Sequence, residues 1–350
     1  MDNTQDGLIK SFQRASLNDV GRDPDQLLFE PPSGSRASQS LGNIPPYLFR
    51  VVSPKSAGET NGTWARSESA CQQNISSSKD IFSFKCLEDW KVKAFELNVH
   101  LQWYNHKCEA EDNFVSWTSS LLFAIQYIYY RHYHDTPSSS LNDIKLYVIN
   151  TSLFREGTFM RDLDLIESFC KFDRETIRYE YWNLRDLQYL RTKKGFYFGE
   201  YLSQGSLKIE NKFQVIPANV LFENNRLQRL QPAFHKLYVP PPRKQDTEWA
   251  NAVMNLRKDI WAPNLPVLSS VSTLVPLAAI KEILDNIDTH DSNHGWRFPL
   301  GIYLATFIGS GLATDSHIDN NGIFFEYFRS ATWGGKFGSR YSRHEEDLGY

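Results

Sequence analysis

The 350-residue chain predicts an α+β protein, with antiparallel-leaning sheets around a cleft from about residue 45 to 240 and a helical segment from about 245 to 335. Three observations carry this. Tyr47–Val52 and Ile144–Ile149 alternate with period two, the repeat of a strand with two unlike faces. Leu87, Trp90, Ala94, Leu97, Leu101 and Tyr104 instead step by three and four, which makes one apolar face on a helix. Short apolar runs at Phe196–Leu202, Ser206–Ile209 and Phe213–Ile216 are separated by turn residues at Gly205 and Asn211. Beyond the proline run at 239–244 only helical spacing remains.

In chain order, residues 1–44 are charged and rich in Ser, Gly and Pro, and read as a flexible N-terminal arm. Pro45-Pro46 ends it and the strand Tyr47–Val52 follows. That strand carries Arg50 among apolar neighbours. A guanidinium there either snorkels from an edge strand or is buried against an anionic partner. Residues 53–80 form a long Ser/Gly/Asn-rich loop, and the amphipathic helix comes next, with His100 read as solvated or hydrogen-bonded.

Phe114 to Tyr127 is the most informative stretch. An apolar approach meets Ser116, Thr118, Ser119 and Ser120, and a helical pattern starts at Leu121. Ser119 or Ser120 is placed to cap that helix, because a serine oxygen accepts from the free amides of a first turn. Two helices follow the strand at 144–149, one over Met160–Phe172 and one over about 175–190. In the C-terminal part, helices are expected at Glu248–Trp261, Pro276–Ile287 and Gly301–Ile308, closed by a polar tail from 336 to 350.

Composition narrows the function. A formal net charge of -3 argues against a protein that wraps nucleic acid by bulk electrostatics. Cys71, Cys86, Cys108 and Cys170 form no CxxC pair, so a structural zinc site is not expected and no metal is assigned. No apolar run suits a membrane span, and no basic, apolar leader opens the chain; an intracellular, cytoplasmic protein is expected. No GxGxxG after a strand, no P-loop and no G-x-S-x-G elbow occurs. His290, Asp291 and His294 are neighbours in a Gly/Asn-rich stretch, a poor metal site.

Three signals remain: Arg50 in a strand, the hydroxyl cluster Ser116, Thr118 and Ser119, and Glu200 within an aromatic strand ahead of Gly205. A glutamate among Phe196, Tyr197, Phe198, Tyr201 and Leu202 is costly to bury unless paired, the alternative being the exposed face of an edge strand. The order Leu-Phe-Arg-Val, Phe-Val-Ser-Trp-Thr-Ser-Ser, Gly-Glu-Tyr-Leu-Ser-Gln-Gly resembles an uncharacterised domain of filamentous-fungal proteins. That domain's layout is similar to the Arg, Ser-Thr-Ser, Glu class of ADP-ribosyltransferases. The resemblance covers about residues 47–222.

The resemblance implies an ADP-ribosyltransferase-like fold of split antiparallel sheets with helices, NAD as co-substrate, and an unknown macromolecular target. Arg50 would hold a phosphate or ribose oxygen of NAD. Ser116 or Ser119, with Thr118 between them, would brace the site, Glu200 would be the catalytic carboxylate, and an aromatic such as Tyr127 or Phe123 would stack on nicotinamide. Two departures matter. Arginine-modifying members have Glu, and related ones Gln, two residues before the catalytic Glu; here Phe198 stands there, which disfavours arginine as target. Trp117 splits the hydroxyl motif and leaves open which serine faces the pocket. The alternative is a non-catalytic interaction module that keeps the fold, with fungal recognition or self-defence as the analogous setting.

Overall fold

The computed structural model describes residues 26–102, 111–134, 138–173, 182–238, 247–261, 270–287 and 297–308. The strands are β1 (Tyr47–Val52), β2 (Glu59–Thr60), β3 (Trp64–Arg66), β4 (Phe114–Thr118), β5 (Lys145–Asn150), β6 (Met160–Arg161), β7 (Glu200–Gln204), β8 (Ser206–Lys208) and β9 (Phe213–Pro217). The longer helices are α1 (Leu87–Leu101), α2 (Leu121–His134), α3 (Asp162–Phe169), α4 (Leu184–Lys193), α5 (Thr247–Ile260), α6 (Ser270–Asp285) and α7 (Arg297–Ala305). Six strands form one sheet in the order β6-β7-β4-β1-β5-β9, and β2-β3-β8 form a second. Every pair is antiparallel.

Alternation assigns the two faces of the large sheet. Leu48, Val115, Trp117, Tyr147, Ile149 and Tyr201 point one way and pack with Ala65 and Leu207 of the small sheet. The opposite face is divided. Phe49, Val51, Leu146, Val148 and Ile216 lie under α2 and the C-terminal helices. Phe114, Met160 and Leu202 lie under α1, α3 and α4. The two helical groups therefore meet along the line between β1 and β4, and the site described below sits beside that seam on β4 and β7.

Several expectations need correction. Residues 26–44 are no arm: Phe29 is buried and its amide donates to the Gly157 carbonyl at 2.8 Å. Residues 1–25 lie outside the described residues. The long loop at 53–80 holds β2 and β3, whose turn is closed by Asn61 Oδ1 accepting from the amides of Thr63 and Trp64. Such an Asx turn lets strands of two and three residues pair where no periodicity can show. The three runs between 196 and 216 do not pair with one another: β7 pairs with β4, β8 with β3, and β9 with β5. Gly205, at φ +58°, is where the chain leaves one sheet for the other.

Met160 starts a strand rather than a helix, and α3 begins at Asp162. Pro276 lies inside α6 and not at its start. The C-terminal helices do not stand apart. Ile280, Ile283, Leu304 and Phe307 join the core under β1 and β5, and the Tyr303 ring meets Phe49 edge-on at 5.1 Å. The start of the helix expected at 175, the proline run, His290, Asp291, His294 and the tail lie outside the described residues. None of the helices described is long and apolar enough to cross a membrane.

Candidate functional site

Trp117 decides which serine is turned into the site. Its ring is 1% exposed on the small-sheet face, meets Phe159 edge-on at 5.9 Å, and donates Nε1–H to Ser203 Oγ at 3.0 Å. With Val115 and Trp117 committed to that face, period-two alternation sends Ser116 to the other. Glu200 lies on the same face as Ser116, two residues before Leu202, the cross-strand partner of Ser116. Strand β7 runs between β6 and β4, so Glu200 is not on an edge strand.

The other hydroxyls hold the frame. Thr118 Oγ1 donates to the Phe198 carbonyl at 2.6 Å and accepts from the Ser120 amide at 3.0 Å. The Ser119 amide donates to the Gly199 carbonyl at 2.8 Å. Ser120 is the cap of α2, its Oγ accepting from the Phe123 amide at 3.2 Å. Thr118 and Ser119 thus fix the approach of residues 198–199 to Glu200. Gly199 has φ +69°, and a Cβ there would fall 2.1 Å from Ser119 Oγ. Gly199→Ala is expected to lower stability by about 1–3 kcal/mol from backbone strain alone. Chemical denaturation would measure it, and the Ser119→Ala background should relieve only the clash.

A line of polar groups runs through Ser116. Its Oγ donates to Glu200 Oε1 at 2.9 Å and stands 2.8 Å from His100 Nε2. On the far side of the ring, His100 Nδ1 is 2.8 and 2.9 Å from the two Asp112 oxygens. Glu200 Oε2 pairs with Arg191 Nη2 at 2.9 Å, and Arg191 Nη1 pairs with the fully buried Asp162. Asp112, His100, Ser116, Glu200, Arg191 and Asp162 are therefore one connected network built from α1, the approach to β4, β4, β7, α4 and the start of α3.

Burial of His100 opposes its charge, but the charge and hydrogen bond of Asp112 outweigh it, with Glu200 helping and Arg50 opposing, so its pKa is raised. Asp112 is likewise pushed up by burial, and the charge and hydrogen bond of His100 more than reverse this, so its pKa is lowered. The raised imidazole contributes stability that is full below its ordinary 6.5 and is lost as pH rises through its folded value. The lowered carboxyl contributes stability present above its ordinary 3.8 and lost as pH falls through its folded value. Wild type should therefore exceed Asp112→Asn in melting temperature most clearly between pH 3.8 and 6.5, with the gap closing on either side. A gap that does not vary with pH would contradict the ion pair.

Arg50 is on a central strand opposite Tyr147, and by alternation it starts from the small-sheet face, unlike Ser116 and Glu200. Only Phe49↔Thr118 pairs β1 with β4. Past that point the strands part, and Arg50 Nη1 donates to the Ser116 carbonyl at 2.9 Å, while Nε donates to Thr60 Oγ1 at 3.0 Å. The guanidinium thus substitutes for the missing ladder partner. Burial pushes its pKa down to about 10, with Tyr127, Asp112 and Tyr147 opposing, so it stays charged at neutral pH. Arg50 and Glu200 do not touch; Ser116 joins them, carbonyl to one and hydroxyl to the other. Tyr127 belongs to a ring ladder on α2, stacked with Phe123 and Tyr130 at 6.1 Å each.

Sequence reasoning missed His100, Asp112, Arg191 and Asp162 as site residues. The one signal available was a histidine in the last turn of α1, read as solvated or hydrogen-bonded. Among the described residues no group of three or more His, Cys, Asp or Glu could hold a metal ion.

Residues 43–210 match the family described as a domain of unknown function, DUF7587. The match spans just under half of the chain and includes all six network residues and Arg50, while β9 and the C-terminal helices lie outside it. No curated protein and no solved structure matches the chain.

Proposed function

We propose that the site beside the seam is an NAD-dependent mono-ADP-ribosyl transfer site with Glu200 as its carboxylate. The observation that carries this reading is the Ser116 Oγ–Glu200 Oε1 hydrogen bond of 2.9 Å, the brace that the hydroxyl motif was expected to supply. In such a reaction the bond from the ribose carbon to nicotinamide breaks, and its electron pair leaves with nicotinamide. The acceptor then bonds to that carbon and gives up a proton. Positive charge develops on the ribose between the two events, and a fixed anion stabilises it most where water is excluded. Glu200 has 16% of its side chain exposed, so the carboxylate is largely withdrawn from water.

Arg50, joined to the same residue through the Ser116 carbonyl, would hold a phosphate or ribose oxygen with the donors it has left. Thr118 and Ser119 keep residues 198–199 in place, and Tyr127 would offer a ring to nicotinamide. Phe198 stacks on Phe123 at 5.0 Å with Arg257 above it at 4.9 Å, so the position that carries Glu in arginine-modifying members and Gln in related ones is part of an aromatic wall. This disfavours arginine as the target.

The second reading, a non-catalytic interaction module, draws on one observation: Glu200 Oε2 is already paired with Arg191, itself tied to Asp162. The test is release of nicotinamide from NAD by folded wild type and by Glu200→Gln, with candidate protein and nucleic-acid targets supplied. Release by wild type that the variant lacks supports the enzyme. No release by wild type with any target leaves the module.

A further inference from the structure

The line Asp112–His100–Ser116 has the bond pattern of a serine hydrolase triad, with one ring nitrogen on a carboxylate and the other on a hydroxyl. Glu200 changes what that pattern can do. A hydroxyl has a single proton, and Ser116 Oγ has two neighbours within bonding distance, His100 Nε2 at 2.8 Å and Glu200 Oε1 at 2.9 Å. An ionised carboxylate can only accept, whereas the imidazole nitrogen can be donor or acceptor. With the Ser116 proton on Glu200, Nε2 must donate to Oγ, and Nδ1, facing the Asp112 carboxylate at 2.8 and 2.9 Å, must donate as well, so the ring is protonated on both nitrogens.

We infer that His100, steadied by Asp112, is a positioning residue: it donates Nε2–H to Ser116 Oγ and so commits the hydroxyl's one proton to Glu200 Oε1. Glu200 then receives Ser116 on one oxygen and Arg191 on the other, which fixes its rotamer. Ser116 is correspondingly no nucleophile, since its base already carries the proton and its own proton is held by Glu200. The charged groups facing His100 agree. Asp112 at the approach to β4 and Glu200 on β7 favour the imidazolium, while Arg50 on β1 opposes it. The Phe114 ring closes another side at 5.4 Å, and on its own helix Glu96 is turned to Lys93. The arrangement of protons is independent of the reaction; its part in turnover rests on the NAD reading.

Nitrogen-15 NMR of histidine-labelled full-length protein separates the two. His100, identified by the signal lost in His100→Gln, should show both ring nitrogens protonated at neutral pH, and its pKa should fall in Asp112→Asn, which serves alone if the first variant does not fold. A fluorophosphonate probe should leave Ser116 unmodified. In turnover, wild-type activity should decline as pH rises through the His100 pKa, because a neutral ring would draw the Ser116 proton away from Glu200. His100→Gln, which keeps a donor for Ser116, should lose that alkaline limb and retain most of kcat, while His100→Phe should lose about ten- to a hundredfold in kcat with KM little changed. A neutral ring at pH 7 with Nε2 unprotonated, or a phosphonate adduct on Ser116, overturns the proposal. A doubly protonated ring in a wild type that releases no nicotinamide upholds the proton arrangement and removes the NAD reading alone.

Discussion

Glu200→Gln is expected to lower nicotinamide release from NAD by about 10²–10³-fold, the range for removing one fixed electrostatic stabiliser of a transition state. The substitution keeps the shape of the side chain and an oxygen that can still accept from Ser116 Oγ at the present 2.9 Å. It removes the negative charge, and with it the ion pair to Arg191, which retains Asp162. Melting temperature should therefore move little while activity collapses. Ser116→Ala should cost less, about ten- to a hundredfold, because it deletes one hydrogen bond to a charged group and leaves the charge in place. An active wild type whose Glu200→Gln variant keeps full activity would mean that the carboxylate of the reaction lies elsewhere.

Trp117→Ala should have the largest effect on stability, about 3–5 kcal/mol. The ring fills the space between the two sheets, touching Phe159, and its removal opens a cavity that the paired strands cannot collapse. It also leaves the buried Ser203 hydroxyl without its donor. A denaturation midpoint in urea measures the loss, with Trp117→Phe as the control that restores most of the volume but not the hydrogen bond. A loss below about 1 kcal/mol would mean that the sandwich does not depend on this ring. Because Trp117 also turns Ser116 toward Glu200, Trp117→Phe should hold activity better than Trp117→Ala at a temperature where both are folded.

The sequence by itself determined the elements that bury a face over five or more residues. Period-two alternation in 47–52 and 144–149, and three-and-four spacing from Leu87 to Leu101, are records of which side meets the core, and local burial alone produces them. Composition and short order were also enough to single out Arg50, Ser116 and Glu200, because charged and hydroxyl residues inside apolar strands are expensive unless they have partners. Strands as short as β2 and β3 leave no such record, since two or three residues cannot show a period. Which strand pairs with which was decided by the tertiary structure: Gly205 sends β8 to the small sheet while β7 stays beside β4. So was the resolution of the Ser116–Trp117–Thr118–Ser119 ambiguity, because only the packed sandwich shows which face Trp117 fills. His100 with Asp112, and Arg191 with Asp162, come from four separate segments of the chain. Hydrogen bonds and ion pairs act over about 3 Å in space and leave no mark at any fixed spacing in sequence, so only the fold could bring those four side chains to Ser116 and Glu200.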